Sequence, residues 1–317
     1  MALPADTVTT YSSVGNREDL SDIIYNVDPT DTPFLSGLER VKSTAVNHEW
    51  QTQALAAASA SNAVLEGDDA TTDAATPTVR LGNINQISDK VARVTGTQQA
   101  IDKAGRDNEL DYQKILKGKE LKRDMETTLV GSNQAKVTGD ASTARKTASV
   151  LSWLKTNTDK GGGAGADPAT ANGAAIRTDG TQRPFTEAQL KAVLQKIWIS
   201  GGDPDKIMLG GFNKQVMSTF TGRGTPMEDT KSKKIVATVD VYESDFGTLK
   251  VVANRFSRAR DVLVLQSDMW ALATLRNMKT IPLAVTGDSL RHQVITEYAL
   301  ESRNELSSGG VFDLTTS

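Results

Sequence analysis

Cysteine is absent from the 317 residues, which excludes disulfides, thiolate metal sites and cysteine nucleophiles. Histidine is nearly absent: His48 and His292 are the only two, and neither has a second ligand at i+2, i+3 or i+4, so short-spaced metal motifs are excluded as well. Aromatic residues make up 5% of the chain, and small Ala and Val dominate its apolar content. Cores should therefore be modest for the length, and some segments should need neighbours to become ordered. No run approaches the roughly 18 apolar residues of a membrane span. The opening MALPADTVTTYSSVGN has neither the basic nor the apolar region of a secretory signal, so synthesis in the cytoplasm without export is expected, and no membrane partner. A net charge of −3 supplies no basic field toward nucleic acid or anionic lipid.

What is present is a folded chain of one or two domains, 38% hydrophobic and 24% charged. Its organising stretch is Asp107 to Gly131. Ile115, Gly118, Leu121, Met125 and Leu129 recur at spacings of three and four, predicting one buried side of a helix. Asp107 or Asn108 suits the N-cap, Glu109 and Asp111 suit the positive end of the dipole, and Gly131 suits the C-cap. Such a helix runs roughly 36 Å and can serve as a beam.

Ahead of it, residues 1–45 read as an arm: Leu20, Ile23, Ile24 and Val27 predict a short helix ended before Pro29, and Pro33 forces a turn before Phe34 and Leu35. From Val46 the pattern alternates through Trp50 and Thr52, and a second alternating stretch runs from Thr78 to Thr97. Joined by a polar, Ala-rich tip, the two predict a hairpin of up to about 20 residues per arm and about 60 Å at full extension. A globule of this length is only about 50 Å across, so the hairpin should project. With Trp50 its only aromatic residue, it needs another surface to lie on.

After the beam, residues 133–185 read as a loop-rich insertion with an apolar island at Val150, Leu151, Trp153 and Leu154. Thr186 caps an amphipathic helix carrying Leu190, Val193, Leu194, Ile197 and Trp198, ended by Gly201 and Gly202. Asp205 to Leu209 reads as a buried strand, followed by a helix from Asn213 to Phe220. The rest is mostly β: Lys234 to Tyr242 and Thr248 to Asn254 flank a hairpin turn, and Val262 to Gln266, Met269 to Leu275, Thr280 to Val285, His292 to Leu300 and Val311 to Leu314 follow. The fold class is α+β.

No catalytic constellation assembles. His48 on a strand reads as a satisfied polar histidine. Gly161 to Gly165 lacks the Gly-Lys-Ser/Thr ending of a phosphate loop and reads as flexible linker, and Gly222-Arg223-Gly224 is equally unspecific. Glu66, Asp68, Asp69 and Asp73 form an acidic patch at the hairpin tip, suited either to solvent or to docking on another chain. The basic run Lys114, Lys117, Lys119, Lys122 and Arg123 is interleaved with Glu120, Asp124 and Glu126 as on a solvated helix face. Catalytic residues, cofactors and metals are therefore expected to be none.

The order of parts, arm, projecting hairpin, beam helix, glycine-rich insertion and final strands, resembles the Hong Kong 97 fold of tailed-phage major capsid proteins. The words Arg17 to Pro33 (REDLSDIIYNVDPTDTP), Asn47 to Gln51 (NHEWQ), Gly118 to Glu126 (GKELKRDME), Tyr242 to Leu249 (YESDFGTL) and Gly287-Asp288-Ser289 are similar to those of a subgroup, in the same order. The resemblance implies an N-arm (1–45), an E-loop (46–95), a P-domain with its spine helix (96–134) and later strands (276–308), an A-domain (135–275), and a C-terminal strand (309–317) returning to the A-domain. It also implies a non-enzymatic shell subunit of the virion, made in the bacterial cytoplasm, whose partners are its own copies in hexamers and pentamers. Portal, scaffolding and decoration proteins and double-stranded DNA held without sequence specificity complete the set.

In such shells the E-loop lies over a neighbour's P-domain. Glu66, Asp68 and Asp69 are therefore expected to dock near Lys119, Lys122 or Arg123 of an adjacent chain. Some members crosslink a loop lysine to an asparagine of another subunit, but no lysine occurs between Lys42 and Lys90, so covalent chainmail is not expected. The chain begins almost at its arm, which implies a separate scaffolding protein or prior cleavage. Two other readings stay open: a bacterial nanocompartment shell of the encapsulin-like kind, and a loop-rich binding or adhesin protein.

Overall fold

In chain order the elements of the computed structural model, which describes residues 28–70, 72–220 and 240–317, are a short helix α1 (Pro33–Gly37), β1 (Glu39–Lys42), β2 (Asn47–Thr52), β3 (Val79–Ile84) and β4 (Gln86–Thr95). Helices α2 (Gly96–Ala100) and α3 (Glu109–Glu126) come next, then β5 (Thr158–Asp159), α4 (Glu187–Ile199), β6 (Lys206–Leu209) and α5 (Gly211–Met217). The chain closes with β7 (Val241–Ser244), β8 (Gly247–Ala253), β9 (Val262–Leu265), β10 (Trp270–Pro282), β11 (Ser289–Ser302) and β12 (Gly309–Val311). The helix expected around Leu20 to Val27, the start of the strand at Lys234 and the Gly222-Arg223-Gly224 stretch lie outside the described residues.

Helix α3 starts where its caps predict: the Asn108 side chain accepts from the Asp111 N–H at 3.1 Å, with Glu109 and Asp111 in the first turn. Its inner face differs from the expected stripe. Leu121 and Met125 are buried, but Ile115 is 61% exposed and Gly118 faces open space. The reason is that Leu110, buried with Ala92 and Val94 of β4, sets the helix phase. Residues in phase with Leu110 are Lys114 and Lys117, whose aliphatic stems are partly covered while their charged ends meet Asp111 and Glu120. The last turn widens into a π-turn over Thr127–Gly131, which brings Leu129 and Val130 into the core.

Three sheets organise the rest. A four-stranded sheet runs β1-β10-β11-β4, with β1 parallel to β10 and the other pairs antiparallel. The separate strands expected at Met269 and Thr280 are one bulged strand, β10. A two-stranded ribbon pairs β2 with β3 over six residues each, Asn47 opposite Ile84 and Thr52 opposite Val79. The long return arm expected from Thr78 to Thr97 is thus divided: β3 stays in the ribbon, whereas β4 crosses Gln86 into the four-stranded sheet and pairs with β11 from Tyr298 to Ser289. Alternation alone cannot distinguish these fates, because β4 has the same period and buries its even-numbered side under α3.

The six-stranded sheet has the order β5-β12-β9-β6-β8-β7 and is covered on both faces. Along β9, Val262 and Val264 join the core under α4 with Leu190, Val193, Leu194 and Ile197, while Leu263 and Leu265 join Trp153, Trp270 and Leu129 in the core shared with the four-stranded sheet. Burial on two faces explains why this strand reads as a continuous apolar run. Trp198, expected on the buried side of α4, is 60% exposed and packs on Phe246, with ring centroids 5.5 Å apart.

The glycine run expected to be a flexible linker is a built cradle. Asp313, fully buried at φ 60°, accepts from the Gly161 and Gly180 N–H groups and from Arg177 and Arg260. A Cβ at Gly161 would lie 2.2 Å from the Thr181 carbonyl oxygen, and one at Gly180 would lie 3.0 Å from the Asp313 carboxylate. Glycine is required there by close approach, not by mobility.

Candidate assembly surfaces

The ribbon formed by β2 and β3 is fastened at its base. Trp50 Nε1 donates to the Ser302 carbonyl at 2.9 Å and its ring lies 5.5 Å from that of Trp153. His48 Nε2 is 2.8 Å from Glu301 Oε2, so the histidine is the satisfied polar partner its strand position suggests. Burial pushes Glu301 up, but hydrogen bonds from His48 and Arg303 outweigh it and hold the carboxyl below the usual range. On the other strand, Asn83 donates to the Leu300 carbonyl at 2.7 Å and Lys136 Nζ to the Gly82 carbonyl at 2.6 Å.

Beyond Thr52 this anchoring stops. Every described residue from Gln53 to Arg80 is exposed, including Leu55, Val64 and Leu65. The tip carries a tight turn in which the Asp68 N–H donates to the Leu65 carbonyl at 3.2 Å with Gly67 at φ 86°. That turn displays Val64 and Leu65 on one side of Gly67 and Asp68 and Asp69 on the other, with Glu66 between. No ion pair joins Glu66, Asp68 or Asp69 to another side chain among the described residues.

The basic candidates sit on α3 in unequal surroundings. Arg123 faces Asp28 at 3.7 Å and stacks over the Phe256 ring at 5.5 Å. Lys119 and Lys122 line a groove of about 530 Å³ with Asp31, Pro33 and Ser36 of the chain's own arm. Lys122 also borders a second groove, of about 550 Å³, between α3 and the β1/β10 end of the four-stranded sheet. Within one chain the structure does not bring these cations to Glu66, Asp68 or Asp69, whose surroundings are solvent.

Two polar anchors were invisible in the sequence. Glu126, fully buried, accepts from the Phe34 and Leu35 N–H groups at 2.9 and 2.7 Å and from Asn254 at 2.6 Å. It thereby caps α1, with Pro33 at the first helical position, and ties the arm to α3 and to the end of β8. Burial pushes its carboxyl up against the hydrogen bonds that hold it down. The second anchor is the Asp313 cluster, where Arg177, 0% exposed, bridges Asp167 at 2.9 Å and Asp313 at 3.1 Å. Among the described residues no group of three His, Asp or Glu side chains could hold a metal. Nor is any described helix long and apolar enough to cross a membrane.

Comparison with known proteins gives the chain as a whole a setting. Residues 6–315 match the model of the SU10 major capsid protein family. The major capsid protein of Escherichia phage Phieco32 is 29% identical over 341 aligned residues, covering 95% of each chain. Among solved structures, a chain of the cyanophage A-1(L) capsid asymmetric unit superposes with a TM-score of 0.66 at 13% identity, over 97% of this chain and 98% of that one. A chain of the capsid of a native GTA particle gives 0.65 at 11% identity, over 96% and 98%.

Proposed function

This chain belongs to the SU10 major capsid protein family and has the Hong Kong 97 fold, and from that premise we propose how its copies close a phage head. It is a major capsid protein, a structural component of the virion that associates with itself in the capsid lattice. Family membership over nearly the whole chain sets aside the binding or adhesin reading, and it favours a DNA-filled head over a protein-filled nanocompartment.

In the proposed head, copies form hexamers and pentamers around double-stranded DNA, which the inner face holds without base readout. Portal, scaffolding and decoration proteins complete the particle, the chain is made in the host cytoplasm, and no catalytic step is part of its role. We assign the ribbon and its tip, residues 46–85, to the E-loop. The four-stranded sheet with α3 is the P-domain and the six-stranded sheet with α4 is the A-domain, so β4 passes from the expected E-loop to the P-domain and β10 wholly into it.

The observation that carries this reading is the unbroken exposure of residues 53–70 and 72–80 beyond a well-anchored base. A long ribbon of that kind gains nothing in a monomer, and covering it with an adjoining copy removes its apolar side chains from water. The acidic tip is proposed to meet cations of the P-domain next to it, within the set Lys119, Lys122 and Arg123. Electron microscopy of the particle is expected to show closed shells containing nuclease-protected DNA, with the tip resting on a neighbour. A monomer that stays dispersed at high concentration, or a tip folded on its own body, overturns the reading.

A further inference from the structure

The groove of about 550 Å³ between α3 and the β1/β10 end of the four-stranded sheet separates its chemistry into two zones. Met125, Leu272, Leu275 and Met278 give it an apolar floor, and Arg40, Lys42 and Lys122 line it with no carboxylate beside them. The register of β1 explains the clustering. Arg40 lies opposite Leu272 and Lys42 opposite Thr274, so both cations project from the groove side of the strand, roughly 7 Å apart at two residues of strand rise. Lys122 comes from α3. Among the described residues none of the three pairs with a carboxylate; Arg40 donates to a neutral partner, the Leu35 carbonyl, at 3.3 Å.

Like charges held this close without a counter-ion repel one another, and an open apolar floor keeps water against hydrocarbon. One molecule relieves both if it carries an oxyanion at one end and an unbranched hydrocarbon chain at the other. We propose that the groove is a binding site for an anionic amphiphile, an alkyl chain ended by a phosphate. The chain lies on the Leu272, Leu275 and Met278 floor and the phosphate sits between Arg40, Lys42 and Lys122. A phosphate monoester carries a charge of about −1.5 to −2 near neutral pH, which answers three cations better than the single charge of a carboxylate. The cavity volume falls in the range of about 300 to 1,000 Å³ common to small-molecule sites. Met125 and Met278 suit a chain of no fixed shape, because thioether side chains repack readily around it. Bound there, the ligand bridges β1, β10 and α3 and stabilises their packing by mass action.

This inference goes beyond the shell reading and does not depend on it. Of the cations proposed to meet the ribbon tip only Lys122 is drawn in; Lys119 and Arg123 are not part of this groove. The test uses the dilute, unassembled full-length chain and dodecyl phosphate below its micelle concentration, read by isothermal titration calorimetry and thermal unfolding. Dodecyl phosphate is expected to bind roughly tenfold or more tightly than either inorganic phosphate or dodecanol, and to raise the unfolding temperature with concentration. Lys42 and Lys122 are exposed, so Lys42→Gln with Lys122→Gln should fold. That variant should weaken dodecyl phosphate roughly tenfold and leave dodecanol unchanged, whereas Met278→Asn should weaken both.

Absence of saturable binding below the micelle concentration overturns the assignment, and so does equal affinity for dodecyl phosphate and dodecyltrimethylammonium. Displacement of the probe by a peptide copying residues 17–27 or 61–72 also overturns it, since the groove would then be a contact between protein segments.

Discussion

Two aspartates in one buried cluster titrate in opposite directions. Asp313 is held below the usual range because N–H groups of Gly180 and Gly161 and the Arg177 guanidinium outweigh its burial. Asp261 has neither carboxylate oxygen hydrogen-bonded, although Arg258 Nη1 lies 3.3 Å away, and burial pushes it up to about 6. An acid whose pKa is higher in the folded chain binds its proton more tightly there. Its ionisation therefore costs stability as pH rises from about 4 to about 6, and the cost persists above that. Asp261→Asn is expected to stabilise the unassembled chain by up to about 3 kcal/mol at pH 8 and by almost nothing at pH 4, read by urea unfolding of variant and parent. An equal gain at both pH values removes the burial explanation.

At the level of elements, the decisive feature is the division of the return arm at Gln86. Strand β3 is held through the ribbon base, while β4 is held by β11 and by the underside of α3. Trp50 is the main fastener of that base, through its indole N–H and its contact with Trp153. Trp50→Ala should raise hydrogen exchange in 47–52 and 79–84 and cost roughly 2 kcal/mol, while 86–95 keeps its protection. A parallel rise across 86–95 would mean that the two strands open as one unit. Helix α3 carries a similar lesson: its existence and N-cap follow from spacing and capping residues. Its rotation was set by Leu110, a residue outside the stripe chosen from apolar periodicity.

For the molecule as a whole, anchoring and exposure are separated along the chain. The two cores meet at β6 and β9, the last residues Gly309 to Leu314 are buried among them, and the tip is left outside. In the shell proposed above, contacts made by such tips are expected to be many and of modest strength, because no lysine lies between Lys42 and Lys90 to form an isopeptide bond. Reduced, boiled particles are therefore expected to run as single chains on denaturing gels, and a ladder of multimers would show a covalent link from some other part of the chain.

Composition, caps and periodicity were enough to determine an α+β chain without thiol chemistry, with a beam helix, a projecting ribbon and a charged tip, since each depends on neighbours within a few residues. The order of its segments carried the family resemblance. What tertiary structure alone decided lies between residues distant in sequence. Glu126 reaches back 92 positions to Phe34, Asp313 turns a glycine run into a cradle, and Arg40, Lys42 and Lys122 meet above one apolar floor. Buried polar partners and grooves arise from the packing of separate elements, and no local pattern encodes which side chain will stand opposite.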